Sequence, residues 1–417
     1  MDGSPIFIGE LFVKGNRIAY VGKKYDGKEK ADRVIDANKN VLMPGFKNAH
    51  AHSAMTFLRS YADDLSLHDW LYDWVFPVED RLRPGDVYHL SKLGFAEYLT
   101  SGITAAFDMY YSPEEIAKAS KDFGMRIVLV GTPTVSRGSI DDLKKNYRKL
   151  NHFDELVTFQ LGFHAEYTIT EEMLSALSKI SHELKAPVYS HSSETEFEVN
   201  GCIQRHGCTP TEYFERLGLF DFGGGGYHCN FMSDNDLKII KKRGLFVTTC
   251  PGSNTKIASG IAPIQKMIDM GINLSIGTDG PASNNCLDFF REMFLVTGLQ
   301  KLLCKDPCAC EAYKVLEMAT VGGAHAMHLD DADTLDVGKL ADIIMIDLHR
   351  PNMQPLNNIE KNIVYSGSKE NVKLTMINGK ILYEDGKFYL DESIDDIYKS
   401  AQDITDRIKE EVKSLKK

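Results

Sequence analysis

The sequence has no long apolar run. Nowhere do about 18 apolar residues stand together, so no membrane-spanning helix is expected. It also lacks any excess of positive charge: 48 Lys and Arg stand against 59 Asp and Glu, for a net charge of -11. Neither a nucleic-acid backbone nor an anionic membrane surface is then an expected partner, since both attract basic surfaces. Cysteine is sparse, eight in 417 residues with no CxxC pair, which predicts reduced thiols in a cytoplasmic protein. The one cluster, Cys304, Cys308 and Cys310, falls in a helix-like stretch and reads as packing or surface rather than a zinc site. The opening MDGSPIFIGE has no basic stretch ahead of an apolar run, so no secretory signal is expected. Short-period repeats and low-complexity segments are missing. The glycine quartet Gly223 to Gly226 is not followed by Gly-Lys-Ser/Thr, so it predicts a turn into a strand rather than a phosphate loop.

What is present is an alternation. From Val41 onward, β-rich runs (VLMPGFKNAHAH, GITAAFDMY, MRIVLVGTPTV, LVTFQLGFHAEY, APVYSHSSE, GGGYHCNFM, GLFVTTCPGSN, INLSIGTDGPAS) alternate with amphipathic helical stretches such as Thr170 to Leu184 and Ser233 to Gly244. Ser233 has the chemistry of an N-cap, and Gly244 that of a helix stop. Eight βα units predict an α/β protein built on a closed (β/α)8 barrel. The runs begin apolar and end in polar types: His50 and His52, Asp108, Thr134, His164 and Glu166, His191 and Glu194, His228, Asn254, Asp279. In such barrels the C-terminal strand ends form the active face, whereas an open doubly wound sheet would gather its chemistry at one switch point. Both ends of the chain read as antiparallel β structure, with turns at Lys14-Gly15-Asn16, near Asp26-Gly27, at Asn378-Gly379 and at Asp385-Gly386, and with ADRVIDA as a further strand. We therefore expect a composite β-sandwich from residues 1–45 and 336–390, a barrel over 46–335, and a solvated C-terminal helix over 391–417.

The segment NAHAHSAM raises the functional question. In a strand, residues i and i+2 face the same way, so His50 and His52 project together toward the barrel mouth. Two neutral imidazoles on one face are ready ligands for a divalent metal. His191 and Asp279, at two other strand ends, would complete a set of three nitrogens and one oxygen, the open arrangement of a catalytic zinc site. Such a metal lowers the pKa of a bound water to about 7. Asp279 could then take that water's proton, while His228 could be a further ligand or orient the nucleophile. Glu194, three residues after His191, could hold a proton and deliver it to a ring nitrogen or departing amine. Trp70 and Trp74, the only tryptophans, stand one helical turn apart, with Pro77 expected to end their helix. An aromatic pair there could pack a long βα loop onto the barrel or form a wall of the substrate site.

The segments PGFKNAHAHSAMTFLRS, ADDLSLHDWLYDWVFPVEDRL, SHSSET, YHCNFM, SNTKIASGIAPIQKMIDMG and GTDGPASNN together resemble the amidohydrolase superfamily. They are most similar to its branch that deaminates methylthioadenosine, S-adenosylhomocysteine and adenosine, and the resemblance covers nearly the whole chain. It implies one divalent metal, usually zinc with Fe2+ or Mn2+ as alternatives, on His50, His52, His191 and Asp279. It makes Glu194 the proton shuttle to purine N1, Glu79 the residue that grips the ribose hydroxyls, His164 a substrate contact and His228 a neighbour of the attacking water. One departure stands out: where members acting on S-adenosylhomocysteine tend to place an arginine, this chain has Gly131. Arg137 is the candidate substitute for binding the substrate's tail.

The expected activity is hydrolytic deamination of an adenine nucleoside (adenosine, 5'-deoxyadenosine, methylthioadenosine or S-adenosylhomocysteine). The rivals are another ring aminohydrolase or chlorohydrolase, acting on guanine, a pyrimidine or an s-triazine, and a barrel scaffold without chemistry. The expected partner is a small nucleoside, and a homo-oligomer stays open.

Overall fold

The computed structural model describes residue 3, residues 5–65 and residues 67–415. Two antiparallel strands come first, β1 (Glu10–Lys14) and β2 (Arg17–Gly22). The apolar run that follows is two strands rather than one, β3 (Val41–Pro44) and β4 (Phe46–Ala51). Next come β5 (Ile103–Met109), β6 (Arg126–Val130), β7 (Val157–Gly162) and β8 (Val188–Ser192). They are followed by β9 (Gly224–His228), β10 (Phe246–Thr249) and β11 (Asn273–Ile276). Last are β12 (Ile343–Ile346), β13 (Val372–Ile377), β14 (Lys380–Glu384) and β15 (Lys387–Phe388).

Strands β4 to β11 form one eight-stranded sheet in sequence order, parallel at each pairing. The last strand returns to the first through a bridge between Ala51 and Asp279, with Asp279 N donating to His50 O at 3.0 Å. The fully buried Asn48 reinforces this seam. Its Nδ2 donates to Thr278 Oγ1 at 2.7 Å, and its Oδ1 accepts from Thr278 N at 2.8 Å. The fold is the α/β barrel that the alternating pattern predicts.

Capping chemistry sets where the surrounding helices begin. Ser139, Thr170, Thr195 and Ser233 each accept a backbone N–H three residues on, and Gly244 ends the Asp234–Arg243 helix in the left-handed region. Gly224 answers for the glycine quartet. Its φ is 122°, and a Cβ there would lie 1.9 Å from Val188 O, so only glycine lets β9 lie against β8.

The two ends of the chain meet in a five-stranded antiparallel sheet, ordered β15-β14-β13-β12-β3. Its hairpins turn at Asn378-Gly379 and Asp385-Gly386, all four residues at positive φ. Three sequence expectations change here. ADRVIDA forms no strand, and Val34 is exposed; its alternation has no neighbouring strand to pair with. Pro77 does not end its helix: a π-helical turn over Trp70–Val75 runs directly into an α-helical turn over Phe76–Glu79, which carries the proline just past the wider turn. The C-terminal helix Ile394–Leu415 is not simply solvated, because Ile397, Ala401 and Ile408 are buried against the core.

Inside the barrel, alternate residues of four strands build one apolar plug: Ala105, Phe107 and Met109, Val128 and Val130, Tyr189, and Tyr227. Tyr189 lies two residues before His191 on β8, so the same face carries packing at its floor and chemistry at its rim.

Candidate metal centre

His50 in β4, His52 just beyond it, His191 in β8 and Asp279 just beyond β11 bring their ligand atoms within 4.8 Å of one another. His52 Nε2 is 3.1 Å from Asp279 Oδ1, and His50 Nε2 is 3.5 Å from the same oxygen. Two of the rings are oriented from behind. His191 Nδ1 donates to His164 O at 2.8 Å, and His52 Nδ1 donates to Met109 O, so each presents Nε2 to the centre. His50 is fully buried, and neither of its ring nitrogens has a hydrogen-bond partner among the described residues. It stacks on Tyr227 with ring centroids 3.9 Å apart. A buried imidazole with both nitrogens orphaned is costly unless something binds it, and a divalent ion fits that need.

Electrostatics agree with this for three of the four groups; His52 is the exception, since burial would lower it but the Asp279 carboxylate beside it raises it. Burial lowers His50 to about 3 and holds His191 well below its ordinary range, so both are neutral. Burial alone would raise the Asp279 carboxyl, but the His50 and His52 side chains beside it outweigh that and hold it well below its ordinary range. Neutral imidazoles and a carboxylate are the forms a metal takes. A second grouping, His50 with His228 and Cys250, shares one imidazole with the first. It is the poorer donor set, since burial pushes the Cys250 thiol well up and away from the thiolate a metal prefers.

Around this group the sequence-predicted residues divide. His52, Trp70, Glu79, His164, His191, Glu194, His228 and Asp279 all line one pocket. Glu194 is buried, and burial raises its carboxyl above the usual carboxylate range. Its backbone is fixed at both ends: its N–H donates to Glu198 Oε2 at 2.8 Å, and its O accepts from Asn230 Nδ2 at 3.0 Å. His228 Nδ1 donates to Asn254 Oδ1 at 2.8 Å. Asn254 is held in that sense by giving its amide to Asn230 Oδ1, so His228 presents Nε2 to the pocket. His164 is lowered to about 4, chiefly by burial. Glu79 is buried and accepts from Tyr110 Oη at 2.5 Å; burial raises its carboxyl.

Trp74 and Arg137 do not line that pocket. Trp74 packs edge-on against Tyr61. Arg137 lines an adjoining cavity, pairs with Glu79 at 3.5 Å and with Asp80, and lies over the Tyr111 ring at 4.6 Å. A side chain at Gly131 would run into Leu143, 2.0 Å from where a Cβ would sit. Of the other polar strand ends, Glu166 turns away to Arg205 and to His206 at 3.1 Å. Four residues escaped the sequence reading. Tyr110 and Glu198 hold the two acidic groups just described, and Ser253 and Ser283 donate to Asp279 Oδ2 at 2.6 and 2.7 Å. The serines follow strand ends, but a hydroxyl in a loop carries no spacing signal of its own.

The model of the amidohydrolase family matches residues 41–382. A 5-methylthioadenosine/S-adenosylhomocysteine deaminase of Thermoanaerobacter pseudethanolicus is 37% identical over 382 residues, covering 90% of this chain and 88% of that relative. A 5'-deoxyadenosine deaminase of Methanosarcina acetivorans is 37% identical over 396 residues, covering 92% and 90%. Among solved structures, a zinc-bound adenosine deaminase from Xanthomonas campestris superposes with a TM-score of 0.90 at 30% identity, covering 96% of this chain and 93% of that one.

Proposed function

The chain belongs to the amidohydrolase family, and from that premise we propose that its barrel mouth hydrolytically removes the 6-amino group of adenine nucleosides. The observation that carries this reading is the sharing of one pocket by three of the four candidate ligands, His52, His191 and Asp279, with the buried Glu194 and the buried Glu79. Relatives named for methylthioadenosine, S-adenosylhomocysteine and 5'-deoxyadenosine deamination support the substrate class.

His50, His52, His191 and Asp279 would hold one divalent ion, zinc first, which supplies a water acidified to near neutral pH. Asp279 accepts that water's proton, and His228 Nε2 holds the water toward C6 of the ring. Glu194, whose carboxyl burial raises, gives its proton to N1 as the oxygen bonds to C6. The proton on Asp279 then leaves with the amino group as ammonia, the C6 hydroxyl returns its proton to Glu194, and N1–H and the C6 carbonyl remain. Glu79 accepts from the ribose hydroxyls, so a ring without them leaves a buried carboxylate short of its donors. His164 and Trp70 complete the walls.

The test is ammonia release from adenosine, 5'-deoxyadenosine, methylthioadenosine, S-adenosylhomocysteine, guanine and cytosine. We expect release from the adenine nucleosides and little from the free bases. Turnover of guanine or cytosine with none of any nucleoside would overturn the assignment.

A further inference from the structure

Helix Phe289–Cys304 carries a glutamate with no surface and no cation paired to it among the described residues. Glu292 is fully buried. Its Oε2 accepts from Gly252 N at 2.8 Å, and its Oε1 accepts from Asn284 Nδ2 at 2.8 Å. Those two partners flank the serines that touch Asp279. Gly252 immediately precedes Ser253, and Asn284 immediately follows Ser283. The serine hydroxyls lie 2.9 Å apart, and both donate to Asp279 Oδ2. Asn284 Nδ2 also donates to Thr278 O at 2.7 Å, gripping the peptide just before Asp279.

Asp279 needs such support. Its φ is 61°, in the left-handed region that side chains other than glycine's seldom adopt. It persists only when its surroundings fix it. The approach of helix and loop is also close: a Cβ on Gly252 would sit 2.3 Å from Glu292 Oε1.

We propose that Glu292 is a positioning residue for Asp279. By clamping the loops after β10 and β11 to one carboxyl group, it sets the two serines that occupy Oδ2, and so aims Oδ1 at the imidazoles. This rests on the reading of Asp279 as metal ligand and proton acceptor. Burial pushes the Glu292 carboxyl up to about 8, so near neutral pH it sits there largely uncharged. The clamp therefore does not depend on a buried charge.

The test compares Glu292→Ala and Glu292→Gln with the parent protein in three measurements. These are the zinc dissociation constant by chelator competition, the melting temperature of the metal-free protein, and kcat and KM for the best nucleoside. Loss of a direct outer partner of a metal ligand typically weakens binding about 10–100-fold; Glu292→Ala acts one residue further out, through the serines, and is expected to reach the lower end of that range, about tenfold. Its kcat should fall about tenfold or more while KM stays within about twofold, the mark of a group that acts on the reacting centre rather than on substrate binding. Glu292→Gln keeps an acceptor for Gly252 N and should recover most of both losses. Parent-like zinc affinity and kcat in a folded Glu292→Ala overturn the proposal. If that variant does not fold, Asn284→Ala breaks one arm of the clamp and is judged by the same measurements, parent-like values again overturning it. Should the parent itself bind no zinc and release no ammonia, the underlying function fails. A working parent with an indifferent Glu292→Ala sinks only the clamp.

Discussion

Two ring nitrogens at His50 without partners among the described residues, and a glutamate lifted by burial at Glu194, carry most of the proposed chemistry. The HxH pair was legible because strand geometry fixes where i and i+2 point, and no apolar packing calls for two imidazoles there. Glu194 was legible by its distance from His191 along the chain. Its supporting bond to Glu198 was not, because a glutamate in the first turn of a helix has an ordinary explanation in the helix dipole. The role foreseen for Arg137 meets a different reality. Its charge is already engaged by Glu79 and Asp80, a pairing across 57 residues that no local pattern discloses. Two predictions belong at this scale. Glu194→Gln should lower kcat by about 10²–10⁴, the usual worth of general acid–base catalysis, with an unchanged melting curve; near-parental turnover of every nucleoside would contradict it. Glu79→Ala should raise KM chiefly for ribosides, by about tenfold or more if one charged hydrogen bond of 1.5–3 kcal/mol is lost. Equal effects on ribosides and free bases would contradict that.

The elements show where sequence pattern is strong and where it is silent. Eight parallel strands were visible as apolar runs with polar ends, since each must bury both faces and still expose its tip at the mouth. The division of VLMPGFKNAHAH at Gly45 was not, because both halves are extended, and only the partners differ: β3 pairs with β12, and β4 with β5. The same silence hid the tie between barrel and terminal sheet. Arg126, at the start of β6, forks onto Asp342 at 2.6 and 3.0 Å, both buried, and Asn378 N adds a bond to Asp342 at 2.8 Å. Burial would raise Asp342, but Arg126 outweighs it and holds the carboxyl below its ordinary range. A depressed carboxyl contributes stability in full above its unfolded pKa of about 3.9, and loses it as pH falls through the lower folded value. Arg126→Ala should therefore cost about 3–5 kcal/mol in urea denaturation at neutral pH, as expected when one partner of a buried pair is removed. The gap to the parent should be full at neutral pH and above, and narrow as pH falls, beginning where the unpaired, burial-raised Asp342 of the variant takes up a proton. A gap that is small at pH 7, or that narrows toward high pH, would contradict the account.

Across the whole molecule, the sequence disclosed a barrel flanked by β structure from both chain ends, and the acidic balance that disfavours polyanionic partners. It could not disclose closure. The seam depends on Asn48 reaching Thr278 across 230 residues, and on Asp279 N meeting His50 O. Closure and metal site are one event, because the bridge that shuts the barrel joins the residues beside three of the four ligands. An ion bound there should stabilise the entire fold by mass action, about 2.7 kcal/mol at a hundredfold excess over its dissociation constant. Chelation should accordingly lower the melting temperature, and zinc should restore it; a melting curve indifferent to both would count against the site. The most direct measurement is anomalous diffraction at the zinc edge from crystals of the zinc-loaded protein. The account predicts one peak per chain within bonding distance of His50, His52, His191 and Asp279. A chain without that peak, or with its zinc elsewhere, would contradict it.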